Sequence, residues 1–152
     1  MTHGPAKTMD QKIALFRRCF SGLDRVYGTY DPITGRVFQV KQPVTDEVIR
    51  AHLCGRRPYG VYLLVHDKTR AIAADFDHDD LAPPMEFVRV AKNYGIDAYI
   101  ASSKSKGYHA YIFLAEQGVL AWKARAIVRH ILAEIGHPHT EVFPKQDRLD
   151  GR

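Results

Sequence analysis

The chain has 152 residues, 45% of them hydrophobic and 11% aromatic, a composition that suits one globular domain with its own core and excludes a disordered or fibrous chain. A formal net charge of +5 and an isoelectric point near 9.3 favour polyanionic partners, and 22 Lys and Arg interleaved with 8 Tyr suit a nucleic-acid channel. No apolar run approaches the length of a membrane span, no secretory signal region opens the chain, and Cys19 and Cys54 stand in no metal-ligand spacing; the expectation is a soluble, cytoplasmic protein with reduced, partly buried thiols and no membrane partner.

Residues 1–8 read as a loose start. From 9 to 20, Ile13, Phe16, Cys19 and Phe20 share one face with Lys12, Arg17 and Arg18 opposite, which predicts an amphipathic helix ended by Gly22. Residues 27–40 predict a hairpin around Asp31-Pro32-Ile33-Thr34-Gly35. Thr45 or Asp46 caps a short helix through Val48, Ile49 and Leu53, after which Arg56-Arg57-Pro58 returns the chain to a sheet. The apolar run 59–65 and the run 71–74 predict two strands joined by a polar hairpin, 66–70.

Pro83-Pro84 opens a helix through Phe87, Val90, Ala91 and Tyr94, stopped at Gly95. Strands at 96–102 and 108–114 flank a Ser/Lys/Gly turn. A helix over 120–135 buries Leu120, Ala124, Ile127, Val128, Ile131 and Ile135, with Lys123, Arg125 and Arg129 outside, and 140–143 forms a last strand. The order from Val61 onward, β-β-α-β-β-α-β, predicts an α+β fold with an antiparallel-rich sheet and helices on one face. No repeat, low-complexity segment or linker interrupts it.

Two segments carry chemistry. The strand 71–74 runs into Asp75-Phe76-Asp77-His78-Asp79-Asp80. Carboxylates at i and i+2 of a strand point to one side and repel unless a cation lies between them, and hard oxygen ligands suit Mg²⁺ or Mn²⁺. The bland alternative is an acidic turn. Some thirty residues on, Ser103-Lys104-Ser105-Lys106-Gly107 can aim backbone N–H groups, hydroxyls and ammonium groups at one anion, with His109 placed to donate to a phosphate oxygen. Its bland alternative is a solvated turn followed by a strand histidine. Taken together the two segments describe a metal–triphosphate site.

Three segments, Asp75-Phe76-Asp77, Ser103-Lys104-Ser105-Lys106-Gly107-Tyr108-His109 and Glu141-Val142-Phe143-Pro144-Lys145-Gln146, resemble the three motifs of archaeo-eukaryotic primases. The likeness is to the primase-polymerase domains of TOTE conflict systems and of CRISPR-associated or mobile-element primases. The stretches 20–28, His52-Leu53-Cys54-Gly55 and Tyr59-Gly60-Val61-Tyr62 look like that branch's opening motifs, so the resemblance runs over residues 16–149. It implies a single catalytic domain with an RRM-like antiparallel core at 59–149 and an N-terminal α/β lobe at 1–58. In relatives a Gly-Asn and Leu-Pro region follows the third motif, whereas here Asp150-Gly151-Arg152 follows. The expectation is a C-terminally shortened domain or a piece of a longer primase-helicase.

The resemblance further implies nucleotidyl transfer from NTPs or dNTPs to a primer or initiating nucleotide on a single-stranded DNA template, with two divalent ions held by Asp75, Asp77 and Glu141. Several relatives use Asp at the third position, so Asp147 competes with the favoured Glu141; the plainer readings pair Glu141 with Lys145 and Asp147 with Arg148. Ser103, Lys104, Ser105, Lys106, Gly107, His109 and Lys145 would hold the triphosphate. Arg56 and Arg57 are the expected template contacts, and a helicase or nuclease the expected partner. Tyr108, Tyr111 and other pocket aromatics are the candidates to discriminate the 2′ position, and the sequence does not fix whether ribo- or deoxyribonucleotides are preferred. Two rivals remain: a metal-dependent nuclease, and a non-catalytic remnant that binds single strands.

Overall fold

The computed structural model describes residues 5–104 and 106–149. Ser105 of the basic turn, residues 1–4 of the loose start and the end at 150–152 lie outside the described residues. Contacts divide the chain into two units, 1–62 and 63–152.

In the first unit, α1 (Met9–Cys19) opens on a capping box: the Thr8 hydroxyl accepts from the Gln11 N–H at 3.3 Å and the Gln11 side chain accepts from the Thr8 N–H at 2.9 Å. The helix stops at Cys19, short of Gly22. Gly22 is there for closeness, since a Cβ on it would overlap the Tyr62 carbonyl oxygen, which also accepts from the Leu23 N–H at 2.9 Å. The predicted hairpin forms as β1 (Tyr27–Tyr30) and β2 (Val37–Val40), its turn held by Asp31 accepting from the Ile33 and Thr34 amides. Of the two candidate caps for α2 (Asp46–Leu53), Thr45 serves. Ile13, Tyr27 and Ile49 are buried, and the rings of Phe16, His52 and Tyr59 pack together. Cys54, expected to be partly buried, is exposed.

The strand predicted at 59–65 is shorter than its apolar pattern suggests. Residues 59–62 work as a brace: the Tyr59 N–H donates to His52 Nδ1 at 3.2 Å, and Gly60 makes one isolated antiparallel bridge to Gly28. Only β3 (Leu64–Val65) is strand. It folds back on β4 (Lys68–Thr69) through a turn at His66-Asp67, so the expected pairing of 59–65 with 71–74 does not occur.

The second unit continues with β5 (Ala71–Phe76), α3 (Ala82–Asn93), β6 (Tyr99–Ser102), β7 (Tyr108–Phe113), β8 (Val119–Leu120), α4 (Ala121–Glu134) and β9 (Glu141–Phe143). Its antiparallel sheets have the orders β3-β4-β8 and β6-β7-β5-β9. The alternation of β5 sends Ile72, Ala74 and Phe76 to one face, where Ala110, Ile112 and Val142 join them. Phe87, Val90 and Ala91 of α3 and Ala124, Val128, Ile131 and Leu132 of α4 close over that face. Asp80 accepts from the Ala82 N–H at 2.9 Å, and the prolines follow at the start of α3.

The stripe of α4 is rotated from the expected one. Ile127 is 46% exposed, whereas Leu132 is fully buried. A stripe centred between Ala124 and Val128 leaves Ile127 about 80° from the centre at ~100° per residue, whereas Leu132 lies about 60° from it on the other side. Arg125, expected outside, lies with its side chain only 13% exposed. Among the described residues no helix is long and apolar enough to cross a membrane.

Candidate functional site

Strand order brings together residues that are far apart in sequence. Asp75 on β5 stands directly across from His109 on β7 and, on its other side, from Glu141 on β9. Opposed residues of antiparallel strands share a face, so His109, Asp75 and Glu141 form one row on the face away from the helices. Tyr111, Ala73 and Phe143 form the next row. Asp77 follows one residue past β5 and is exposed.

Each member of the row has a partner. His109 Nε2 lies 3.2 Å from Asp75 Oδ1, and His109 Nδ1 lies 3.0 Å from the Tyr111 hydroxyl. Lys145 Nζ donates to Glu141 Oε1 at 2.8 Å and stands 4.9 Å over the Phe143 ring. Burial lifts the Asp75 carboxyl above the usual carboxylate range; His109 opposes the lift, and the charges of Asp77 and Glu141 add to it. Burial likewise pushes the Tyr111 phenol up, with the Asp75 charge adding to the effect.

A cleft of about 310 Å³ opens beside the row, and Asp75, Asp77, Glu141, His137 and His139 are among the residues that line it. The two histidines were not singled out in the sequence, although His137-Pro138-His139 leads straight into β9. The acidic string thus divides: Asp75 and Asp77 face the cleft, Asp80 also starts α3, and Asp79 accepts from the Tyr108 hydroxyl at 3.4 Å. The carboxylates of Asp75, Asp77 and Glu141 bring hard oxygen atoms to the cleft. As the side chains lie, no three His, Cys, Asp or Glu among the described residues converge on one point for an ion.

The basic turn closes through the Ser103 N–H donating to the Gly107 carbonyl at 3.0 Å, with Lys104 and Lys106 exposed. Ser105 lies outside the described residues. Asp147, the competitor of Glu141, pairs with Arg125 rather than with Arg148. Arg125 also donates to the Pro144 and Gln146 carbonyls at 3.2 and 2.8 Å, which pins the segment that carries Lys145. In the first unit, Arg56 and Arg57 are exposed just past α2, with Arg56 3.9 Å from Glu47.

The sequence profile of the TOTE conflict system archaeo-eukaryotic primase domain matches residues 34–152. No curated protein matches the chain.

Proposed function

Because the chain belongs to the archaeo-eukaryotic primase domain family of TOTE conflict systems, and so to the primase-related nucleotidyltransferases, we propose that it joins nucleotides on a single-stranded DNA template. The observation that carries this reading is the row in which Asp75 is flanked by His109 and Glu141. The strand order β9-β5-β7-β6, with α3 and α4 on one face, supports an RRM-like core for it.

Asp75, Asp77 and Glu141 fit Mg²⁺ or Mn²⁺ by donor chemistry: all three offer hard oxygens, and the burial and mutual repulsion that lift Asp75 are relieved by a cation. Holding an ion requires Asp75 to turn from His109 and Glu141 to turn from Lys145. When bound, two such ions supply activation of a 3′-hydroxyl and charge neutralisation on the leaving pyrophosphate. The chain's own residues do the rest. Freed from the carboxylates, His109 Nε2–H and Lys145 Nζ donate to triphosphate oxygens. Ser103, Lys104, Ser105 and Lys106 add donors and charge from the turn, and Gly107 lets that turn lie close to Asp75 and Asp77. Arg56 and Arg57 meet template phosphates, and a helicase or nuclease, encoded nearby or in the same polypeptide, supplies or consumes the single strand.

The test is incubation with labelled NTP or dNTP, a bare or primed single strand and Mn²⁺. Extended product that disappears in Asp75→Ala and Asp77→Ala proteins of unchanged fold is expected. A shortened template would instead favour a nuclease, and an untouched template a binding remnant; full incorporation by both variants would remove the site assignment.

A further inference from the structure

His109 is engaged at both ring nitrogens, by Asp75 at Nε2 and by the Tyr111 hydroxyl at Nδ1. Tyr111 reaches it because residues i and i+2 of β7 share a face, and its ring stands edge-on to the imidazole with centroids 5.8 Å apart. Tyr111 is opposed by Ala73 on one side of β7 and by Tyr99 on the other, and its ring stacks on Phe113 with centroids 6.0 Å apart. An ionised carboxylate only accepts, so the Nε2 that faces Asp75 carries the proton. In a neutral imidazole the other nitrogen then accepts, and the Tyr111 O–H is its donor.

We propose that Tyr111 is a positioning residue: it anchors Nδ1, so that one Nε2–H serves Asp75 while the carboxylate lacks cations and is presented to a triphosphate oxygen once Asp75 turns to them. The nucleotide half of this rests on the function proposed above; the ring anchoring does not. Tyr111 fixes the ring plane while Nε2 changes partner. The same N–H is thereby reused without a tautomer change or a ring flip. Without the hydroxyl, Asp75 still restrains the ring in the cation-free state, but once Asp75 turns away nothing else orients it, so the cost falls on nucleotide binding.

Two measurements on the full chain test this. The first is ¹⁵N NMR of the His109 ring at about pH 8, above the ordinary imidazole range. A protonated Nε2 and a bare Nδ1 are expected in the native protein, with the Nδ1 resonance displaced in Tyr111→Phe. A protonated Nδ1, or ring resonances that ignore Tyr111→Phe, overturns the proposal.

The second is a double-mutant cycle read as equilibrium binding of a nucleoside triphosphate with Mn²⁺. Tyr111→Phe should weaken binding roughly three- to tenfold, and should change nothing further in a His109→Ala protein, because it acts through that ring. Independent, additive losses would mean that Tyr111 meets the nucleotide itself and would overturn the positioning role. If the native protein binds no triphosphate, the proposed function fails, and the NMR result alone decides the Tyr111–His109 anchor.

Discussion

Gly107, in the turn between β6 and β7, lies so close to the main chain of Phe76 that a Cβ on it would overlap the Phe76 carbonyl oxygen. Its φ of +82° is also one that side-chain-bearing residues rarely adopt. Phe76 sits between Asp75 and Asp77, so this one glycine seats the basic turn against the acidic strand end.

Gly107→Ala therefore meets both a steric and a backbone penalty. Stability should fall by about 1–3 kcal/mol, and nucleotide affinity should fall with it as the turn lifts away. Urea unfolding measures the first and equilibrium binding the second. Native stability in the variant would contradict the close approach.

Asp75 gives a pH dependence of definite sign. Its folded-state pKa is raised above 3.8, chiefly by burial, with His109 opposing and with Asp77 and Glu141 adding to the lift. Between 3.8 and the raised value the folded chain holds the proton more tightly than the unfolded chain, so stability drops as pH rises through that window. The whole cost is present once the pH is above the raised value. Asp75→Asn keeps an acceptor for His109 and should raise Tm at neutral pH in chelator, the gain closing as pH falls below 3.8. A lower Tm at neutral pH would mean that the His109 pairing outweighs burial.

Glu141 and Asp147 are distinguished by their neighbours. Glu141 is in the row with Asp75, whereas Asp147 is held by Arg125. Glu141→Gln should weaken Mn²⁺ binding roughly tenfold or more. Asp147→Asn should leave it intact, at a stability loss within about 1 kcal/mol, because its carboxylate is largely exposed and Arg125 keeps two carbonyls. Calorimetric titration of both variants checks this, and a loss confined to Asp147→Asn would reverse the assignment.

Lys145 separates structural from functional charge. Its pair with Glu141 is half exposed at both ends, 55% and 51%, so Lys145→Ala should move stability by less than about 1 kcal/mol. Triphosphate binding should weaken, and more so at low salt, where an ammonium–phosphate contact is least screened. Unchanged affinity across salt would show that Lys145 serves only Glu141.

The elements that could be read from the chain are those whose signal is local. Helices α1 and α3 and strands β5 and β7 announce themselves by the spacing of apolar residues, and α3 by Pro83 and Gly95 at its borders, whereas the Thr8 cap of α1 falls in what reads as a loose start. The acidic and basic strings, and their likeness to a primase domain, are equally plain in one dimension. Where local signals compete they mislead. The apolar run 59–65 has the composition of a strand, yet the backbone partners of Tyr59 and Gly60 are His52 and Gly28, and nothing in the run encodes that.

What only the tertiary structure decided is who stands beside whom. Alternation tells which face Asp75 occupies, because a pleated strand has period two. Register against β7 and β9, which brings His109 and Glu141 to its two sides, depends on hydrogen bonds between segments tens of residues apart. The same holds for Arg125, which looks solvent-facing on its helix but is drawn in by the carbonyls of Pro144 and Gln146, and for His137 and His139, which the α4–β9 connection carries to the cleft. Side-chain chemistry is a property of the sequence; convergence of those side chains depends on long-range pairing, whose energy is shared across the whole sheet and written in no single segment.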